Sequence, residues 1–233
     1  MIRGFYSAAA GLASRQDQLN VIANNMANVN TTGFKAQQSN FSALLYQSLN
    51  GGAGNSISVG HGSRLAHTGT VFTQGELKRT DGELDCAIIG QGFFAVESQK
   101  DEMTTYSRDG SFKIGKDGNK SYLVNSAGDY VLDAKEKKIE INDSFDLQNV
   151  GVFTFLNPGE LKLLGGNQFA ATELSGDAEI VKEPKMVAGH LENSSVQLAE
   201  EMVKMIEATK GFSFNSKIIQ AADEMEKTVN QLR

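Results

Sequence analysis

The chain has 233 residues, 40% of them hydrophobic, with 24 Gly, no Trp and a net charge of −6. That length and balance suit one or two domains with a sizeable core. The negative charge argues against a general nucleic-acid binder. No apolar run approaches the roughly 18 residues of a membrane helix. Cys86 is the single cysteine, so neither an internal disulfide nor a thiol-based zinc cluster can form within this sequence. The acidity is concentrated in residues 51–193, and both terminal stretches are nearly neutral.

The start, Met1-Ile2-Arg3-Gly4-Phe5-Tyr6, has one basic residue and then a weakly apolar run of small residues. A heptad pattern runs straight through it, so it reads as structure and not as a cleaved Sec signal. Residues 5–28 are expected to form the first helix. Ala8, Leu12, Arg15, Leu19, Ile22, Met26 and Val29 alternate spacings of four and three, one stripe with a single charged member. Asn20, Asn24 and Asn28 form a polar line beside it, either solvated or hydrogen-bonded across a subunit contact. The stripe runs into Asn28-Val29-Asn30-Thr31-Thr32-Gly33-Phe34-Lys35, whose Asn and Gly residues favour an ordered turn.

Residues 35–46 read as either extended or helical, Phe41, Leu44 and Leu45 making a short helical stripe. Gly, Asn and Ser then mark residues 51–62 as a flexible linker and a domain boundary after 1–50. From residue 63 the period becomes two. Val71-Phe72-Thr73, Ala87-Ile88-Ile89, Phe93-Phe94-Ala95-Val96, Thr105-Tyr106-Ser107, Ser111-Phe112-Lys113-Ile114 and Tyr130-Val131-Leu132 are short strand-like runs. Asp109-Gly110, Asp117-Gly118-Asn119 and Gly128-Asp129 punctuate them as hairpin turns. Further strands are expected over 138–141, 150–155, 169–172 and 185–189. Residues 63–192 therefore read as a central, mainly antiparallel β-domain, and 63–190 are expected to fold by themselves.

Residues 193–233 are expected to form the last helix, with Asn193, Ser194 and Ser195 as capping residues and Glu200 and Glu201 early in it. Ala208, Gly211, Asn215, Ile218, Ala222, Met225, Val229 and Leu232 repeat the four-three rhythm, and Leu198, Met202, Met205, Phe212 and Ile219 add a second stripe. Neither helix can bury its stripe alone, so the fold class is α+β: two terminal heptad helices paired as a coiled-coil-like stalk around a central antiparallel β-domain. Two offset stripes on one helix are wider than one partner covers, which points to assembly with other subunits. Arg15, Gly211 and Asn215 interrupt the stripes and are expected to weaken a private two-helix hairpin, leaving the ends frayed before assembly.

No catalytic or metal-binding constellation emerges, and no cofactor is expected. His61, His67 and His190 are scattered without ligand spacing. Gly90-Gln91-Gly92 precedes a strand and not a helix, so no phosphate cradle forms there. Asp117-Gly118-Asn119 lacks the Gly and Glu that a calcium loop needs at its sixth and twelfth positions. Cys86 lies in an apolar strand and reads as a small core residue.

Residues 19–35, with Asn24, Asn25, Asn28, Thr32, Gly33 and Phe34 at their heart, closely resemble the N-terminal signature of bacterial flagellar basal-body rod and hook proteins, the rod/hook axial family. The resemblance extends to Gln74-Gly75-Glu76-Leu77, Ile89-Gly90-Gln91-Gly92-Phe93-Phe94, Tyr106-Ser107-Arg108-Asp109-Gly110-Ser111-Phe112, Glu192-Asn193-Ser194-Ser195 and Asn215-Ser216-Lys217, in order along the chain. It implies a structural subunit, not an enzyme. Such subunits polymerise helically through their terminal helices and build the drive shaft between motor and hook. The central blocks look more like distal than proximal rod proteins. The implied partners are copies of itself, other rod proteins, hook-side axial proteins and the flagellar type III export apparatus, with no nucleic acid and no membrane insertion. The implied location is the extracytoplasmic basal body, reached without a cleaved Sec signal. Ala8, Leu12, Leu19, Ile22, Met26, Val29, Leu198, Met202, Met205, Ile218, Ala222, Met225, Val229 and Leu232 are the expected assembly interface. A free-standing β-rich binding module is the competing reading, and it leaves the two terminal heptad helices without a purpose.

Overall fold

The computed structural model describes residues 2–50, 56–99, 103–118, 120–141 and 149–232. The chain forms two compact units, one of Met1–Ala27, Gln37–Gly69 and Gln197–Arg233, the other of Asn28–Ala36 and Thr70–Val196.

The first unit holds helices α1 (Ile2–Ala27) and α2 (Leu198–Gln231). Neither contains a proline; Ala, Leu, Met and Gln supply favourable helix propensity in both, joined by Glu and Lys in α2. Strands β1 (Gln37–Ala43), β2 (Tyr46–Asn50), β3 (Ser56–Gly60) and β4 (Ser63–Thr70) complete it. Strand β2 pairs antiparallel with β3, Tyr46 opposite Gly60, and β1 pairs with β4. The stretch with Phe41, Leu44 and Leu45 is thus extended: its backbone is taken up by β1, and the Leu44 N–H donates to the Gly62 carbonyl. Of the expected linker, residues 51–55 lie outside the described residues, and 56–60 are β3. Residues 63–69 belong with the helices, not with the β-domain.

Helix α2 starts later than its capping signal. Gln197 is its N-cap and makes no side-chain cap bond. The Ser195 hydroxyl instead accepts from the Ala36 N–H, and the Ser194 hydroxyl from the Val196 N–H. Both oxygens are spent before the helix begins. Glu200 and Glu201 do fall in its first turn, where the helix dipole favours them.

The second unit is built from short strands: β5 (Leu77–Arg79), β6 (Cys86–Ile88), β7 (Phe93–Glu97), β8 (Thr104–Ser107), β9 (Lys113–Asp117), β10 (Lys120–Val124) and β11 (Tyr130–Val131). After them come β12 (Val152–Thr154), β13 (Lys162–Gly165), β14 (Gln168–Ala170), β15 (Glu179–Ile180), β16 (Met186–Ala188) and β17 (His190–Glu192). Among the described residues the main sheet runs β13-β14-β8-β7-β11-β10-β9, with β12 pairing β7 and β15 pairing β12. Two further pairs, β16 with β6 and β17 with β5, are also antiparallel.

Strand β7 explains where the core sits. Its side chains alternate, as the strand period requires. Phe94 and Val96 join one buried cluster with Phe112, Leu123, Val131 and Val152. Phe93 and Ala95 join the other with Tyr106, Phe153, Phe155 and Phe169. A strand buried on both faces reads as an unbroken apolar run, which is what Phe93-Phe94-Ala95-Val96 is.

Residues 138–141 are not a strand and make only isolated bridges, Lys138 with Leu132 and Glu140 with Tyr122. Two further local expectations fail for identifiable reasons. Val71-Phe72-Thr73 is not a strand: Phe72 leaves the backbone path to stack edge-on against Phe93 and Phe169, at 5.2 and 5.3 Å between ring centres. Asp109-Gly110 is not a hairpin turn, because β8 pairs with β7 and β14 while β9 pairs with β10. The Asp109 carboxylate instead accepts from the Ser111 N–H and hydroxyl.

Candidate functional site

Three contacts fix the antiparallel register of the helix pair. A Cβ on Gly11 would lie 2.7 Å from Asn215 Nδ2, and one on Gly211 would lie 3.0 Å from Arg15 Nε. Asn25 Nδ2 donates to Glu201 Oε2 at 3.3 Å. The same register sets Gln18 across from Ala208 and Gly4 across from Ala222. Small residues let the two backbones approach, and Arg15 and Asn215 fill the space over the facing glycines. Arg15 also donates to Gln18 Oε1 at 2.7 Å and lies over the Phe41 ring. The residues expected to weaken the hairpin therefore complement one another within the chain: Gly11 receives Asn215, and Gly211 receives Arg15.

This seam passes along Ala8, Gly11, Arg15, Ile22 and Asn25 on α1 and along Glu201, Ala208, Asn215 and Ala222 on α2. The four on α2 are spaced by seven. Of the expected interface residues, Ala8, Ile22 and Ala222 are buried, and Leu12, Leu19, Met26, Val29 and Met205 are half-buried. Leu198, Met202, Ile218, Met225 and Val229 each keep about half their surface in water, and Leu232 keeps 83%. Val203, Ile206 and Phe214 are exposed to a similar degree. Helix α2 thus turns its small and polar residues inward and leaves most of its large apolar ones outside.

Asn25 is the polar centre of this unit, 1% exposed. Its amide donates to the Gln37 carbonyl and accepts from the Gln37 N–H, at 2.8 and 2.9 Å, as a neighbouring strand would. It therefore ties the start of β1 to α1. The buried Glu201 carboxylate takes its second donor from Lys204 at 2.7 Å.

The rest of the Asn/Thr/Gly motif belongs to the β-unit, as a strap of residues 28–36. The Thr31 hydroxyl and N–H both bond to Asn28. Gly33 has φ +65°, and a Cβ there would sit 2.6 Å from the Arg108 carbonyl carbon, so both conformation and space call for glycine. Phe34 is buried, and the Thr32 carbonyl accepts from Asn167 Nδ2 at 2.7 Å.

The strap ends on Lys35, whose side chain is fully buried. Lys35 Nζ donates to Glu192 Oε1 at 2.5 Å and to the Thr73 carbonyl at 2.7 Å. The Gly75 N–H donates to the same Glu192 oxygen, and Arg108 donates to the other at 3.3 Å. Arg108 also donates to the Gly90 carbonyl at 2.7 Å and lies over the Phe93 ring, while its Nε is buried with no partner. Burial pushes the Lys35 amine below the usual lysine value; the Glu192 hydrogen bond and charge oppose this, and Arg108 adds to it. Burial likewise lowers Arg108, again against the pull of Glu192. Two cations share one carboxylate, an arrangement that fastens chain segments and offers no free nucleophile or base. Reading the sequence by periodicity gives no hint of it: the three residues lie in separate blocks, and no spacing connects them.

Among the described residues there is no group of three or more side chains suited to a metal ion, and no helix is long and apolar enough to cross a membrane.

Comparison with known proteins finds three matching family profiles: "Flagella basal body rod protein" over residues 5–35, "Flagellar hook protein FlgE/F/G D1 domain" over 87–155, and "Flagellar basal body rod FlgEFG protein C-terminal" over 187–232. Along its full length the chain is similar to proteins named flagellar basal-body rod protein FlgG. The one from Borreliella burgdorferi is 36% identical, covering 100% of this chain and 99% of the relative. That from Agrobacterium fabrum is 35% identical over 99% of each, and that from Bacillus subtilis 32% identical over 100% of each.

Proposed function

The chain belongs to the flagellar basal-body rod protein family, and from that premise we propose that it is a structural subunit of the rod, placed distally and polymerising with its own copies. The observation that carries the assembly reading is the large apolar surface that α2 leaves in water along both flanks of the seam and beyond its end, its apolar ridge. Leu198, Met202, Ile206, Ile218, Met225 and Val229 are each about half exposed. Fully burying an exposed side chain of this size is worth about 1.5–3 kcal/mol, so a neighbouring subunit that covers the exposed half of each gains about half of that per residue. Large exposed apolar surfaces usually mark interaction sites. The expected interface residues fall into two roles. Ala8, Ile22 and Ala222 hold the protomer's own helix pair, and the exposed members of α2 face the neighbours.

The subunit works as a load-bearing part and not as an enzyme. Its further partners are other rod proteins, hook-side axial proteins and the flagellar type III export apparatus, which carries it to the extracytoplasmic basal body. The distal placement rests on the full-length likeness to proteins named FlgG. Labelling the protein in isolated basal bodies tests it: signal at the hook end is expected, and signal at the motor end would overturn it. Ile218→Asp tests the ridge. A folded monomer with an unchanged melting temperature but no rod and no motility is expected, and normal motility would refute the reading.

A further inference from the structure

The chain leaves the β-unit at four places, after residue 196 and on the outer sides of 28, 36 and 70. A short run of hydrogen bonds within that unit gathers the segments at these exits. The Val71 N–H donates to the Ala36 carbonyl at 2.9 Å, the Ala36 N–H to the Ser195 hydroxyl at 2.9 Å, and the Ser195 N–H to the Phe34 carbonyl at 3.0 Å. The Gly33 N–H donates to the Glu192 carbonyl at 2.7 Å. Beneath these bonds lies the charge cluster, with Lys35 and Glu192 side chains 0% and 1% exposed. Glu192 ends β17, which pairs antiparallel with β5 and sets Glu192 opposite Leu77.

We propose that Glu192 is a latch: its carboxylate, delivered by the pairing of β17 with β5, fastens the strap of residues 28–36 through Lys35 and holds the exit segments of the β-unit together. Until residue 192 arrives, Lys35 and Arg108 have no buried counter-charge, and an unpaired buried ion is strongly disfavoured. The strap therefore stays undocked until most of the chain has been supplied. The inference concerns closure of the chain on itself and goes beyond any position in the rod.

The charge count makes the latch asymmetric. Lys35→Met leaves the pair of Arg108 and Glu192, which is neutral. Glu192→Gln leaves two buried cations with no anion. Glu192→Gln is therefore the more damaging of the two. Adding Lys35→Met to Glu192→Gln removes one stranded cation and restores part of the loss, which a purely steric role for Glu192 would not produce.

The test is hydrogen exchange and thermal melting on the full-length chain carrying each variant. In Glu192→Gln, exchange over residues 28–36, 71–75 and 193–196 should accelerate together by about tenfold or more, equivalent to about 1.4 kcal/mol. Strands β7 and β8 should keep their protection. The melting temperature should fall furthest in Glu192→Gln and recover in the double variant. A Lys35→Met change as damaging as Glu192→Gln, or a double variant worse than either, overturns the latch. Should Glu192→Gln not fold, recovery of folding in the double variant supports the proposal. If neither folds, Glu192→Asp decides: joint loosening of the three segments supports the latch, and loosening confined to one overturns it.

Discussion

The two units bury their side chains by opposite rules. In the β-unit an aromatic core lies inside, although Leu156 and Leu174 stay exposed: Phe94, Phe153 and Phe169 are each at most 1% exposed, and Phe93, Phe155 and Tyr106 stack edge-on around them. In the helical unit the buried residues are Ala8, Ser14, Ile22, Asn25, Glu201, Ala208 and Ala222, and the large apolar residues of α2 lie outside. The first unit closes an aromatic core within itself, whereas the seam of the second is made of small and polar residues and leaves most of the large apolar side chains of α2 in water. The β-unit nonetheless has one polar fastening, at Lys35, Arg108 and Glu192. That fastening alters what counts as a self-sufficient β-domain: residues 63–190 omit Lys35 and Glu192 and strand Arg108, so the piece to express is one that retains the strap and β17.

The contrast can be broken from either side. The largest expected effect is in the aromatic core. Phe94→Ala should cost about 3–5 kcal/mol, read as a lower denaturation midpoint. A loss under about 1 kcal/mol would mean that the core tolerates a hole and is not the rigid half. Ile22→Asp comes next, because Ile22 is 3% exposed on the helix seam. It should abolish rod incorporation and raise amide exchange over α1 while β7 and β8 keep theirs. Loss of protection in both units alike would show that they are not separable.

Alkaline pH sharpens the comparison further. Burial pushes the Cys86 thiol from 9.0 up to about 12. The folded value lies above the unfolded one, so this contribution is whole below pH 9 and is lost as pH rises through the window from 9 to 12. By pH 10.5 the loss amounts to about 2 kcal/mol. Lys35 acts in the opposite sense, since its folded value lies below the usual 10.5 and stability rises with pH up to that value. Cys86→Ala should flatten the alkaline loss of stability of the β-unit, measured by urea unfolding at pH 8 and 10.5. An unchanged difference between the two pH values would contradict the buried thiol. The smallest effect is expected at Met225→Ala, within about 0.5 kcal/mol of the parent in the monomer, yet with weakened assembly. A large loss of monomer stability there would mean that the ridge already has a partner within the chain.

Both terminal helices, the antiparallel β-region and most of its strands were legible because a period of two or of 3.6 is a local property. Phe41, Leu44 and Leu45 misled because three apolar residues fit a helical stripe as well as an extended segment, and partner strands β2, β3 and β4 decide the matter. The seam keeps Ala8, Arg15 and Ile22 of the α1 stripe and Ala208, Asn215 and Ala222 of the α2 stripe, but on α1 it takes Gly11 and Asn25 in place of Leu12, Leu19 and Met26. A pattern built on apolar residues overlooks small residues that permit close approach. Ser195 had the composition of a helix cap but serves Ala36, 159 residues away in sequence. The Lys35–Glu192 pair spans 157 residues and joins a motif at one end to a strand near the other, so no window along the chain contains it. Each partner stood inside a block that carries the family resemblance, but neither announced what it touches.

The central claim is that the α2 ridge is open in the monomer and covered in the rod. Single cysteines at Ile218 and Met225, labelled with a maleimide in the monomer and in assembled rods, test it most directly, because the native Cys86 is fully buried. Fast labelling at both positions in the monomer and strong protection in the rod is the expected result. Equal labelling in the two states would contradict the claim and leave the ridge as ordinary solvated surface.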